Sequence, residues 1–78
     1  MKYSDGQDVR LGDKVRMWAD CFGVVVFSVD TNEYSRKYPK EQWAYLQAGV
    51  MFETECAGLI HYKEADEDLE LMERASTN

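Results

Sequence analysis

The sequence predicts a mainly β domain: a small barrel or a strongly bent antiparallel sheet of five to six strands, with one short helix. Three observations carry that prediction. Residues 14–18 alternate, with Val15 and Met17 set between Lys14, Arg16 and Trp18, as in a strand with one wet face. Residues 24–29, V-V-V-F-S-V, are almost wholly apolar and β-branched, which suits a strand covered on both sides. Turn signals recur about every 8–12 residues, the spacing of small barrels. Closure or strong bending also hides strand edges.

Taken in order, Lys2 and Tyr3 open a short strand, Ser4-Asp5-Gly6-Gln7 turns, and Asp8 to Leu11 returns. Gly12-Asp13 is a second turn before the strand Lys14–Trp18. Ala19 to Gly23 turns the chain again, with a bulge expected at Gly23, before the apolar strand ends at Asp30. Residues 34–38 read as irregular, polar and aromatic together. Pro39 favours helix entry, Trp43 and Leu46 share one helical face, and Gly49 is placed to end a two-turn helix. So short a helix is held by Trp43 packing on the sheet, not by its own hydrogen bonds. Val50–Thr54 and Leu59–Tyr62 form a second hairpin around Glu55-Cys56-Ala57-Gly58. Lys63 to Asp68 is an acidic loop, and Leu69–Arg74 reads as either a closing strand or a last helical turn. The domain is expected to span 1–74, leaving 75–78 as a tail.

The chain of 78 residues holds one domain, and 45% apolar with 13% aromatic residues marks a packed globule. Its net charge of −6 is unevenly spread. Residues 1–46 balance seven Lys and Arg against seven carboxylates, whereas from Gln47 onward only Lys63 and Arg74 face eight. A net negative surface repels phosphate backbones and so argues against nucleic acid. No signal-peptide core or membrane-length apolar run is present, so the expectation is a cytoplasmic protein without membrane contact. On that expectation Cys21 and Cys56 are reduced thiols, the alternative being one bridge.

The stretch L-G-D-K-V-R at 11–16 followed by G-V-V-V at 23–26 resembles the opening of a KOW or SH3-like barrel module. That resemblance implies an SH3-like barrel and, as KOW modules commonly do, binding to RNA, ribosome or polymerase partners. The acidic second half departs from the basic loops of such modules. Residues 38–51 and 57–62 are similar to stretches in small bacterial proteins, some of which look like immunity partners of toxins.

Chemistry-bearing sets are few. Cys21, Cys56 and His61 lack metal-ligand spacing, and no nucleophile–base–orienter set supports an enzyme. The run Glu64, Asp66, Glu67, Asp68 lacks the central glycine of a calcium loop and reads as a solvated acidic surface. No metal or cofactor is expected. Tyr34, Arg36, Tyr38, Trp43 and Tyr45 mix aromatics with cations, as protein-binding hot spots do. The functional expectation is therefore a small acidic protein-binding module, immunity- or antitoxin-like, that caps a basic partner. Its contacts are Glu64, Asp66, Glu67 and Asp68, with the aromatic residues as anchors; a KOW-like RNA adaptor is the alternative. Two copies can also pair through a strand edge or the flat face of the Gly12–Asp30 hairpin.

Overall fold

The computed structural model describes residues 1–64 and 67–74. Five antiparallel strands form one sheet: β1 (Lys14–Trp18), β2 (Cys21–Ser28), β3 (Val50–Thr54), β4 (Gly58–Tyr62) and β5 (Glu70–Glu73). Their order is β4-β3-β2-β1-β5, so the last strand returns beside the first and β4 and β5 are the two edges. Both edges nevertheless serve one core. Tyr62 of β4 and Leu71 of β5 pack against the same buried cluster, built from Tyr3, Val9, Val15, Met17, Cys21, Val25, Val50, Phe52 and Leu69. A sheet whose opposite edges meet one cluster is strongly bent, and this cluster fills its inner face. Among the described residues no ladder joins β4 to β5.

A second cluster lies on the outer face. Within β3, Val50 and Phe52 belong to the inner core while Met51 joins Phe27 and Tyr38 on the other side, as alternation requires. β2 breaks that alternation. Val25 pairs with Phe52 and Phe27 with Met51, so Val26 is an extra residue in β2. The bulge sends Phe27 to the face opposite Val25, although the two are only two residues apart. The displaced Val26 carbonyl accepts a hydrogen bond from Ser35 Oγ at 3.1 Å.

Ser35 belongs to the segment 29–49, which covers this half of the outer face. Its neck is closed by Val29 N donating to the Gly49 carbonyl at 2.9 Å and by the Gly49 amide donating to Asp30 Oδ1 at 2.8 Å. The segment carries α1 (Lys40–Trp43), which runs into one 3₁₀ turn, Ala44–Leu46. Gln47 takes the left-handed conformation after that turn, at φ 69°. Gly49 is needed for a different reason than a helix end. At φ +98° it lies under β4, where a Cβ would collide with the Tyr62 carbonyl and lie 2.8 Å from the His61 ring.

Several local expectations change. The turn between β1 and β2 is Ala19-Asp20 alone, because Cys21 already pairs with Trp18. The bulge in β2 falls at Val26 rather than Gly23, and Gly23 is an inward residue opposite Val15 where a Cβ would crowd the Glu53 carbonyl at 3.0 Å. The run 24–29 is covered on both faces only in its second half, since Val24 remains 38% exposed. Lys2 and Asp8 form a single bridge rather than a hairpin. Glu70–Glu73 is a strand, with Leu69 buried just before it. The tail 75–78 lies outside the described residues.

Polar latches tie the ends of the chain to the sheet. The Asp13 side chain is fully buried and accepts from the Tyr3 hydroxyl (2.5 Å), the Arg10 amide (2.9 Å) and Arg74 Nε (3.2 Å). Burial, then the Asp13 hydrogen bond, pushes the Tyr3 hydroxyl well above the ordinary tyrosine range. Glu33 accepts a two-pronged bond from Arg10 at 2.9 and 3.1 Å, as well as bonds from Thr31 Oγ1 and the Leu11 amide. Led by Arg10, these donors bring the Glu33 carboxyl down to about 2.

The thiols are not reduced: Cys21 and Cys56 form a disulfide, correcting that expectation. Pairing β2 with β3 brings the start of one strand beside the turn after the other, with the two Cα atoms 5.7 Å apart, inside the range a disulfide spans.

Two outcomes follow. Reduction, or Cys56→Ser, removes a crosslink over a separation of 35 residues. It should cost about 3–4 kcal/mol and lower Tm by at least about 10 °C; coincident melts with and without reductant would contradict this. The Glu33 carboxyl is depressed on folding, so its contribution is complete above its ordinary value of 4.5 and is lost as pH falls toward about 2. Urea titrations of Glu33→Gln should therefore show a shallower loss of stability across that window than the parent chain.

Candidate functional site

Two surfaces carry chemistry beyond the core, and both are built by the sheet. The first is the outer face. Its covered half is an aromatic cluster centred on Phe27, whose ring lies 5.8 Å from Tyr34, 6.0 Å from Tyr38 and 5.3 Å from Trp43. Tyr45 stacks on the outside of Trp43 at 6.3 Å and 24° and stays 70% exposed. Lys37 sits over the Tyr38 ring, 5.6 Å from its centroid. The Trp43 indole N–H is buried without a hydrogen-bond acceptor among the described residues. Trp43 is thus held by packing against rings and not by its polar atom.

The bare half of the same face is a hollow of about 590 Å³ lined by Lys14, Phe22, Gly23, Val24, Val26, Glu53, Thr54 and Glu55. Register explains its chemistry. Reading across the sheet from β5 to β4, one outward row runs Glu73, Lys14, Val24, Glu53, Leu59. The hollow therefore has an apolar floor, one cationic bank and one acidic bank. Lys14 meets Glu73 at 3.9 Å, whereas Glu53 and Glu55 form no ion pair among the described residues. Leu59 adds a 46% exposed apolar side chain at the margin. Val26 both packs against the aromatic cluster and lines the hollow, so the two halves are continuous.

The second surface adjoins the first on the β5 side, where Arg16 stands opposite Phe22 across the β1–β2 pair. Ser4, Arg16, Trp18, Ala19, Glu67, Asp68, Leu69 and Glu70 enclose a hollow of about 330 Å³. Trp18 is 38% exposed there because it follows the bulge in β1, where the register shifts between Arg16 and Trp18. Arg16 donates to Glu70 at 2.8 Å.

The contact residues expected from sequence are thereby divided. Tyr34, Tyr38 and Trp43 face the sheet, and Tyr38 is buried. Arg36 and Tyr45 are exposed. Glu64, Glu67 and Asp68 are exposed, with Glu67 and Asp68 at the Trp18 hollow and not beside the aromatic segment. Asp66 lies outside the described residues. Sequence reasoning missed Trp18, Glu53, Glu55 and the Phe22–Val24–Val26 floor. Alternation alone could have flagged Phe22 and Val24 as sharing a face with Lys14 once the pairing was known.

The soft-ligand set does not converge. Cys21 and Cys56 are bonded to each other, and His61 Nε2 lies 2.9 Å from the Ala48 carbonyl. Among the described residues no three ligating side chains cluster, and no helix is long and apolar enough to cross a membrane. In comparisons with known proteins, the chain matches no protein-family model, no curated protein and no solved structure.

The rings at Trp43 and Tyr45 are separable by substitution. Trp43→Ala removes the ring packed 5.3 Å from Phe27 and should cost about 3–5 kcal/mol, whereas Tyr45→Ala should change stability by less than about 0.5 kcal/mol. Denaturant midpoints of the two variants check this; equal losses would mean that Tyr45 is part of the core.

Proposed function

We propose that the protein is a small acidic protein-binding module, immunity- or antitoxin-like in character, that caps a basic partner. The observation that carries this reading is the exposed Trp18 set among Glu67, Asp68 and Glu70. An aromatic anchor beside several carboxylates is suited to a cationic side chain whose aliphatic stem lies on the indole while its charge meets the acids. The Arg16–Glu70 pair is exposed at 43% and 54%, so it is weak and a partner's cation can displace it.

The charge distribution supports the same reading. Lys2, Arg10, Lys14, Arg16 and Arg74 are engaged with carboxylates of this chain, and the cations without an ion pair among the described residues, Arg36, Lys37, Lys40 and Lys63, do not line the Trp18 hollow of this net −6 chain. Such a surface draws a basic protein in by long-range steering and repels phosphate backbones.

The test begins with partners captured at low salt from the source cells, followed by association kinetics with the purified partner. The expected partner is basic, and its association rate falls steeply with added salt. Glu67→Lys with Glu70→Lys should slow association by about tenfold or more, and Trp18→Ala should speed dissociation. An association rate indifferent to salt and to charge reversal would overturn the reading. A gel shift with structured RNA at low salt, in the absence of such a partner, would favour the RNA adaptor instead.

A further inference from the structure

The outer face combines a protrusion and a hollow side by side along the strand direction, and we propose that it forms a twofold interface with a second copy of this chain. The protrusion is the segment 34–46, with Tyr45 70% exposed at its surface. The hollow is floored by Phe22, Val24 and Val26. A twofold axis lying in the face and running across the strands near Val26 sets each copy's protrusion over the other's hollow. The contact is isologous and closes on itself.

Charge selects this occupant. Arg36 and Lys40 on the protrusion are exposed, and neither forms an ion pair among the described residues. Glu53 and Glu55 on the bank of the hollow are exposed and equally unpaired there. One chain therefore presents unused cations on the part that projects and unused carboxylates on the part that receives. The twofold brings these sets together twice. Tyr45, an amphipathic ring already held on Trp43, enters an apolar floor roomy enough for an aromatic side chain at about 590 Å³. The ring loses little freedom on docking because its stack on Trp43 already orients it. Burying Val24 and Leu59, which stand 38% and 46% exposed, adds apolar area at the centre and margin.

This interface does not require the basic partner of the preceding section, and the residues that test it, Tyr45, Arg36, Lys40, Glu53 and Glu55, are not those that test the Trp18 surface. The two ideas therefore fail separately.

Sedimentation velocity of the oxidised full-length chain, from about 1 µM to 1 mM, reads the outcome directly. The expected result is a reversible monomer–dimer equilibrium. Tyr45→Ala should weaken it by about tenfold or more, as should Arg36→Glu with Lys40→Glu, or Glu53→Lys with Glu55→Lys. The decisive arm is charge exchange. An equimolar mixture of the two reversed chains should recover the dimer, because each protrusion again meets a hollow of opposite sign. One chain carrying all four reversals should dimerise alone. Unchanged circular dichroism and thermal melts show that these surface variants fold. A wild-type chain that stays monomeric throughout, or a dimer indifferent to the reversals, overturns the proposal.

Discussion

The extra residue at Val26 decides which way the middle of the sheet faces. Without it, Phe27 would follow Val25 into the inner core, and the outer face would lack its large apolar centre. With it, Phe27 and Met51 stand outward and require cover. That cover is the segment 29–49, and the Ser35 hydroxyl that bonds the Val26 carbonyl joins bulge and cover in one contact. Each needs the other. A bulge leaves a backbone carbonyl without its ladder partner, and the segment needs an apolar surface because its helical turns are too short to persist alone.

A chain of 78 residues has little core with which to oppose chain entropy, and the remaining devices address that shortage. The disulfide, the buried Asp13 and the Glu33–Arg10 pair each connect parts of the chain distant in sequence. Asp13 gathers Tyr3 from the N-terminal turn and Arg74 from beyond β5 around the entry to β1. A buried carboxylate is tolerated only when its donors are complete, so this site constrains three segments at once. The neck at Gly49 acts in the same way for the 29–49 segment, by close backbone approach and an amide given to Asp30.

Surface chemistry follows from these choices. Because the bulge and its cover occupy one half of the outer face, the other half is left as a hollow beside a protrusion. Because β5 returns next to β1, the acidic residues before it are delivered to Trp18 and not to the aromatic segment. Glu67 and Asp68, which look in the sequence like part of one contact surface with the aromatic segment, thus line the Trp18 hollow instead.

The sequence by itself determined the class of the fold. Alternation at 14–18, the valine run, the turn residues and the single proline-led helix are local signals, and they yielded five to six strands and one short helix; five strands and the helix are observed, and the N-terminal pair is a single bridge. Composition likewise determined the acidic character and the weight of charge after Gln47. The aromatic segment was legible as a packing unit because Trp43 and Leu46 share a helical spacing. Only the tertiary structure decided the rest, because it depends on pairing between distant strands. Nothing near Val26 in the chain announces a bulge; that is set by how β2 meets β3. Cys21 and Cys56 are bonded because the same pairing brings them close, and Asp13 reads as a turn residue until Tyr3 and Arg74 close around it. The row Lys14–Val24–Glu53–Leu59 is four separate residues in sequence and becomes one surface only through register, which local residue preferences do not encode.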